Sequence, residues 1–176
     1  MKGKIIKISI AMSILLSINL HAGIAKKIGY KSIQYPDGSI KRGGHRNWRN
    51  NNPGNLEYGK FTIKNGAIGT DGRFAIFPSM KEGYKAQVAL LSGDRYRNKS
   101  IRNAIHKYAP SFENNTGRYI NKITSSLHVS KHKRISSLSR NQLLHMVKAM
   151  SKHEGMKSGV HLKIKQTFFQ KLFAKK

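Results

Sequence analysis

The sequence contains no cysteine and only seven acidic residues among 176. The lack of cysteine excludes a disulfide framework, a cysteine-ligated metal site and a thiol nucleophile. Because 34 lysines and arginines accompany so few acids, the formal net charge is +27. Such a charge favours an anionic partner, which could be nucleic acid, membrane lipid or a cell-wall polymer. The fold must therefore depend on its hydrophobic core, and acid–base chemistry on very few carboxylates.

No hydrophobic run is long enough to make a comfortable transmembrane helix. The apolar stretch from Ile8 to Leu20 is interrupted by serine and asparagine, follows three lysines and precedes the small residue Ala22. This pattern predicts that residues 1–22 are a secretory signal peptide, with an uncleaved anchor as the alternative. Its removal would leave a charge of +24 and no stable membrane insertion. Export to the periplasm or the exterior makes nucleic acid the least favoured partner.

The mature chain is long enough for one domain with a real core. Residues 23–45 are basic, contain few large apolar side chains and are broken by Pro36-Asp37-Gly38 and Gly43-Gly44. We expect them to form a flexible basic lead-in, and residues 46–176 to form the domain.

Periodicity within the domain favours helices over strands. Turn signals at Asn65-Gly66 and Asp71-Gly72 predict a small hairpin or irregular strands in residues 61–77. Capping patterns and apolar spacing predict four helices, which start near Ser79, Ser100, Thr116 and Ser139. A last amphipathic segment is expected at residues 160–173. The expected fold class is mainly α (α+β), with a small β hairpin near the start of the domain.

The segment RNNNPGNLEYG at residues 49–59 combines a Pro-Gly turn with four asparagines. Pro53 and Gly54 suit the two central positions of a type II turn. The asparagine amides carry many donors and acceptors, which suit a polar ligand such as a sugar. The alternative is an exposed loop whose side chains bond to their own backbone.

Four of the seven acids have a structural explanation. Asp37 and Asp71 lie in Asp-Gly turns, Glu82 in a predicted capping box and Asp94 in a charged loop. Glu57, Glu113 and Glu154 remain as candidates for chemistry. Glu154 is predicted in the last turn of a helix, where the macrodipole disfavours an anion by about 0.3–1 kcal/mol. This position raises the pKa of a carboxyl group, as a general acid requires. The alternative is a solvated acid at a helix end.

The histidines of HVSKH, His128 and His132, have the i, i+4 spacing that can place two imidazoles on one metal. The segment lacks the glutamate of an HExxH motif, and no third ligand is evident nearby. We therefore expect surface histidines, with neither a metal nor a cofactor.

Four ordered segments carry a family resemblance: RNNNPGNLEYG, DGRFAIFPSMKEGYKAQVALL, SIRNAIHKYAPSFENNTGRYINKI and LLHMVKAMSKHEG. Together they resemble the small RNNNPGN-type proteins, which occur as phage peptidoglycan hydrolases and as domains of secreted wall-degrading effectors. The resemblance covers Arg46 to Gly155. A more distant likeness is to flagellar-type endo-β-N-acetylglucosaminidases and other lysozyme-like enzymes, in which a catalytic glutamate precedes the asparagine loop. Here the only acid before residue 57 is Asp37, so the resemblance suggests a circularly permuted lysozyme-like domain whose catalytic helix ends at Glu154.

The resemblance implies that peptidoglycan is the partner and that its glycan strand is the substrate. Glu154 would be the general acid, and Glu113 or Glu57 would supply a second carboxylate. Without a second carboxylate, the muramoyl 6-hydroxyl would attack, as in a lytic transglycosylase. Lysozyme, glucosaminidase and transglycosylase activity all remain open.

The resemblance also implies which residues bind the glycan. Asn52 and Asn55 would line the cleft, while Tyr119 and Tyr108 would stack on or orient the sugar ring. The rival hypothesis is a non-catalytic, cationic wall-binding or antimicrobial protein, whose binding would weaken in salt and would not depend on Glu154.

Overall fold

The computed structural model describes residues 24–109 and 115–163. The predicted signal peptide, Glu113 and the last part of the amphipathic segment, residues 164–173, lie outside the described residues.

Six short strands in the described residues form one mixed sheet with the order β5-β4-β1-β2-β3-β6. They are β1 (Ala25–Gly29), β2 (Ser32–Gln34), β3 (Ile40–Arg42), β4 (Gly69–Thr70), β5 (Ala75–Ile76) and β6 (Val160–Leu162). Strands β1 and β4 run parallel, and the other neighbours are antiparallel.

The prediction of a mainly α, lysozyme-like helical domain is therefore wrong, because the fold is α+β. Three of the strands come from residues 25–42, where a flexible lead-in was expected. The Pro-Asp-Gly sequence that suggested a chain break instead closes the β2–β3 hairpin, with Gly38 in the left-handed region at φ 78°. The few apolar residues of this segment are enough to bury one face, since Ile33 and Tyr35 pack with Ala25 and Ile76.

The helices of the described residues are α1 (Arg46–Arg49), α2 (Lys60–Lys64), α3 (Met80–Ser92), α4 (Ile101–Tyr108), α5 (Thr116–Leu127) and α6 (Arg140–His153). The four predicted helices are thus confirmed as α3 to α6. The side chains of Ser79, Ser100 and Ser139 each accept a hydrogen bond from a backbone N–H three residues later. Helix α2 lies where strands were expected.

The capping boxes differ in their outcome. Gln142 completes the box at Ser139 as predicted, because its side chain accepts from the Ser139 N–H at 3.0 Å. Glu82 does not complete the box at Ser79, since its carboxylate pairs with Lys85 at 2.9 Å. Both helices still begin at the predicted serine.

The main core lies among helices α3 to α6, and its most buried side chains are Leu91, Ile101, Ile105, Ile123, Met146 and Met150. Helix α6 packs on both α3 and α5. Truncating such a side chain to alanine typically costs 2–5 kcal/mol. Because α6 packs in this core, the position of its C-terminal end is fixed, and Glu154 is the residue that follows that end.

After α6 the chain returns to the sheet. The His45 N–H donates to Lys157 O at 2.8 Å, and the His45 ring contacts the carbonyl of Gly155. Strand β6 then pairs with β3 at the sheet edge. Leu162 is 45% exposed there, so the expected inward, amphipathic segment is wrong for residues 160–162.

None of the helices in the described ranges combines the length and the hydropathy needed to cross a bilayer.

Candidate active site

The asparagine run builds the loop that follows α1. Asn51 is 5% exposed, and its Nδ2 donates to Phe77 O at 3.0 Å and to Pro78 O at 3.2 Å. Asn51 and Asn55 both adopt left-handed backbone conformations, with φ of 50° and 46°. Asparagine tolerates this region better than most other residues. Two of the asparagines are thus required by the backbone of the loop.

Both polar atoms of the Asn52 side chain form hydrogen bonds with backbone groups of the protein. Its Nδ2 donates to Leu56 O at 2.8 Å and to Ala75 O at 2.9 Å, while its Oδ1 accepts from the Leu56 N–H at 2.9 Å. The residue is 1% exposed. The geometry therefore assigns Asn52 to folding of the loop, which is a correction of the expectation that it contacts the glycan.

Close packing holds the loop on α3 and α4. The Tyr108 hydroxyl donates to Gly54 O at 2.6 Å and accepts from Gln87 Nε2 at 3.2 Å. A Cβ on Gly54 would lie 2.7 Å from the Tyr108 hydroxyl, and one on Gly83 would lie 2.0 Å from Asn51 O. Both glycines therefore permit the contact. The Tyr108 hydroxyl is committed to this contact, so its role is to position the loop.

Glu154 lies at the C-terminal end of α6, directly beside this loop. Asn55 Nδ2 donates to Glu154 Oε2 at 3.3 Å. The residue as a whole is partly exposed, but its carboxyl group is enclosed by protein. Burial raises the pKa of this carboxyl from 4.5 to about 7, against a smaller lowering by the Asn55 hydrogen bond. The group therefore carries a proton for much of the time at neutral pH.

The Glu154 carboxylate has no ion pair with a lysine, arginine or histidine of the described residues, in a protein with 34 lysines and arginines. Within residues 24–109 and 115–163, no lysine, arginine or histidine nitrogen lies within 4.0 Å of its carboxylate. Four other acids form ion pairs: Asp71 with Arg46, Glu57 with Arg73, Glu82 with Lys85 and Asp94 with Arg97. Among the described acids, the carboxyl whose pKa is raised by burial therefore forms no salt bridge within the described residues.

Tyr119 approaches the same carboxyl from α5. Tyr119 is 1% exposed, and its ring stacks on the His153 ring with the centroids 3.9 Å apart. Burial raises the pKa of the Tyr119 hydroxyl, and the Glu154 charge raises it further. A buried ring covered by His153 offers no platform for a sugar, so the expected stacking role is not supported. The Tyr119 hydroxyl is also buried, and it has no hydrogen-bond partner among the described residues.

Five buried polar side-chain atoms have no hydrogen-bond partner in the part of the chain that the structure describes. They are Asn50 Oδ1, Asn55 Oδ1, Gln87 Oε1, Tyr119 Oη and Ser151 Oγ. An unsatisfied buried group costs about 1–3 kcal/mol, so such atoms are rare in the interior of a protein. Two of the five belong to residues that interact with the Glu154 carboxyl, Asn55 by a hydrogen bond and Tyr119 electrostatically.

Gln87 and Ser151, whose buried side-chain oxygens have no partner among the described residues, were not among the residues predicted from the sequence. Gln87 lies three residues after Tyr84 and four before Leu91, so it interrupts the apolar face of α3. Ser151 interrupts the apolar face of α6 in the same way, four residues after Val147. A polar residue on an otherwise buried helix face was the signal that could have identified both.

The other candidate carboxylates do not join this site. Glu57 is exposed, and its Oε1 accepts from Arg73 Nε at 2.8 Å and from Arg73 Nη2 at 2.7 Å. No other carboxylate contributes to the pKa of Glu154 among the described residues. Glu113 lies outside them. The described part of the site therefore contains one carboxyl group.

The histidine pair has local roles. His128 ends α5 in a left-handed conformation at φ 52°, and the His132 N–H donates to Ser130 Oγ at 3.2 Å. Within the described ranges, no group of three histidine, cysteine or acidic side chains is placed to hold a metal ion.

Comparison with protein families and with curated proteins supplies no relative, because no family model and no curated protein matches the chain.

Proposed function

We propose that the protein cleaves the glycan strands of peptidoglycan in the periplasm or outside the cell, with Glu154 as the general acid. The observation that carries this proposal is the Glu154 carboxyl, which has no cationic partner among the described residues, has its pKa raised to about 7 by burial and accepts from Asn55. The four sequence motifs supply the substrate class, and the charge of +24 that remains without residues 1–22 suits an anionic wall.

A general acid must carry a proton at the working pH and release it to the leaving group. A pKa near 7 satisfies both conditions, whereas an ordinary glutamate would be ionised almost completely. In the proposed reaction Glu154 protonates the glycosidic oxygen as the bond to the anomeric carbon breaks. The departing sugar leaves with that proton as a hydroxyl group.

Asn55 and Tyr119 would orient the reacting groups. The Asn55 amide holds one oxygen of the Glu154 carboxyl at 3.3 Å, which leaves the other oxygen to deliver the proton. The unpartnered Asn55 Oδ1 can accept from a sugar N–H or hydroxyl, and the Tyr119 hydroxyl can donate to a sugar oxygen. The substrate would thus supply partners for two atoms that have none among the described residues.

The second step needs a nucleophile at the anomeric carbon. The single described carboxyl favours the muramoyl 6-hydroxyl, which would attack while the Glu154 carboxylate takes its proton, giving a 1,6-anhydro product. If Glu113 completes the site, it would activate water or act as the nucleophile, and the product would have a reducing end. Product analysis separates these two routes.

The test is mass spectrometry of the fragments that purified peptidoglycan releases with wild-type protein, Glu154→Gln and the control Glu57→Gln. Both variants remove one carboxylate and keep the side-chain shape. We expect muropeptides from wild type and from Glu57→Gln, and at least a hundredfold less from Glu154→Gln. Equal binding of all three to the wall with no release from any would favour the cationic binder instead.

A further inference from the structure

A cavity of about 370 Å³ lies on the sheet, where the β2–β3 turn meets strand β6. Its polar wall contains Lys41, Asp37 and His161, and its apolar wall contains Pro36, Ile68 and Pro78. This volume is at the lower end of the range for small-molecule sites. The proposed glycan cleavage assigns no role to this cavity.

Lys41 is a buried cation whose Nζ lies 4.7 Å from the Trp48 ring centroid and 5.9 Å from the Tyr35 ring centroid. The residue is 8% exposed, and its Nζ donates to Trp48 O at 3.0 Å and to Asn51 Oδ1 at 2.6 Å. An ammonium group has three N–H donors, so one remains without an acceptor among the described residues. No carboxylate in residues 24–109 or 115–163 lies within 4.0 Å of it. Burial lowers the pKa of Lys41 to about 8, which leaves it mostly charged at neutral pH.

His161 faces Lys41 directly across the β3–β6 pair. Residues in register on antiparallel strands project from the same face of the sheet. Burial lowers the pKa of the His161 ring, the Lys41 and Lys163 charges lower it further, and Asp37 raises it. These effects favour the neutral imidazole, which has one N–H donor. An anion that accepts from this N–H and from Lys41 Nζ would add an attraction that the two side chains lack on their own.

The rest of the cavity limits the kind of anion. Asp37 adds a negative charge to the wall, and its Oδ1 already accepts from Ser39 N at 2.9 Å and Ser39 Oγ at 2.7 Å. That charge disfavours a dianion such as phosphate. Two donors, one from each of Lys41 and His161, match the two oxygens of a carboxylate. The apolar wall suits a compact hydrocarbon body beside it.

We propose that this cavity binds the carboxylate of a small acylated amino acid or peptide end, between Lys41 Nζ and the His161 ring. This is a binding site separate from the glycan cleavage attributed to Glu154, and its existence does not depend on that activity. The Lys41–Asn51 hydrogen bond joins the cavity to the asparagine loop.

The test is isothermal titration calorimetry of the purified protein with N-acetylalanine, with N-acetylalaninamide and with inorganic phosphate. The acid and the amide have the same apolar body, so their comparison isolates the carboxylate. We expect the acid to bind at least tenfold more tightly than the amide and than phosphate. Equal affinity for acid and amide, no binding of the acid, or a preference for phosphate would each overturn the proposal.

Variants then place the binding in this cavity. His161→Gln changes an exposed strand residue and should weaken binding of N-acetylalanine severalfold, whereas the control His132→Gln should leave it unchanged. Lys41→Met should abolish the preference for the acid over the amide. Should Lys41→Met fail to fold, the His161 comparison still decides, because unchanged affinity in His161→Gln contradicts the proposed site.

Discussion

Asn55 Nδ2 donates a hydrogen bond to Glu154 Oε2 across 3.3 Å, although the two residues are 99 positions apart in the chain. Two structural features bring them together. The loop is held on α3 and α4 by the Tyr108 hydroxyl, and the chain after Glu154 is held on the sheet by His45. The contact therefore depends on the whole fold rather than on either segment alone.

The burial of Glu154 gives a prediction for stability. Its pKa is about 7 in the folded protein and near 4.5 in the unfolded chain, so the folded state binds more protons between these values. Stability from this group is therefore fully present below about pH 4.5 and is lost as pH rises through 7. Glu154→Gln removes the ionisable group, so we expect its free energy of unfolding at pH 8 to exceed that of wild type by about 1–3 kcal/mol. Urea unfolding at pH 5 and pH 8 measures it. Glu57→Gln serves as the control, and an equal gain in that variant would contradict the explanation.

The two tyrosines should respond oppositely to removal of their hydroxyls. Tyr119→Phe deletes a buried hydroxyl with no partner among the described residues, so stability should stay constant or rise by about 1 kcal/mol. Glycan cleavage should nevertheless fall at least tenfold. Tyr108→Phe deletes the bond to Gly54 O and should lower stability by about 1–2 kcal/mol. Thermal unfolding measures the stability of both variants, and muropeptide release measures their glycan cleavage. A large loss of stability in Tyr119→Phe would show that its hydroxyl has a structural partner.

Substitutions of Asn52 and Asn55 should also have different effects. Asn52→Ala removes the side-chain partner of the buried Leu56 N–H and of the Ala75 carbonyl, while the Leu56 carbonyl still accepts from the Ala75 N–H. We expect this substitution to cost about 2–4 kcal/mol. Asn55→Gly keeps the left-handed backbone and removes the donor to Glu154, so it should cost less stability and raise the pKa of Glu154. Chemical denaturation and an NMR titration provide the two measurements. If Asn52→Ala folded as stably as wild type, its assignment to the loop would be wrong.

The close approach at Gly83 predicts a further effect. A Cβ there would lie 2.0 Å from Asn51 O, so Gly83→Ala must displace the loop from α3 even though alanine favours a helix. We expect a loss of stability of about 1–3 kcal/mol together with reduced cleavage. The control is Gly59→Ala, where a Cβ meets nothing within 4 Å. A Gly83→Ala protein with normal stability and activity would contradict the described packing.

Local patterns in the sequence predicted helices α3 to α6, because caps and apolar spacing act within a few residues, but they did not predict the short helices α1 and α2. Ser139 with Gln142 defined the start of α6, and Gly155 follows its end. The same patterns suggested that Glu154 ends the apolar face of that helix. These features needed no knowledge of the rest of the chain.

The sheet could not be predicted in the same way. Strands of two or three residues give almost no periodic signal, and β1 pairs with β4 across more than 40 residues of sequence. The roles within the asparagine run were equally hidden, since Asn52 bonds to Ala75 and Asn55 to Glu154. Which amide turns inward and which faces the carboxyl depends on these distant partners.

The central claim is that Glu154 holds a proton near neutral pH, and an NMR titration of its side-chain carboxyl tests this directly. Glutamate labelled with ¹³C at the carboxyl carbon gives few signals, because only four glutamates are present, and Glu154→Gln assigns the one of interest. We predict a pKa of about 7 for Glu154. A titration midpoint near 4.5 would mean that the carboxyl is an ordinary solvated anion, and Glu154 would then be unsuited to act as a general acid at neutral pH.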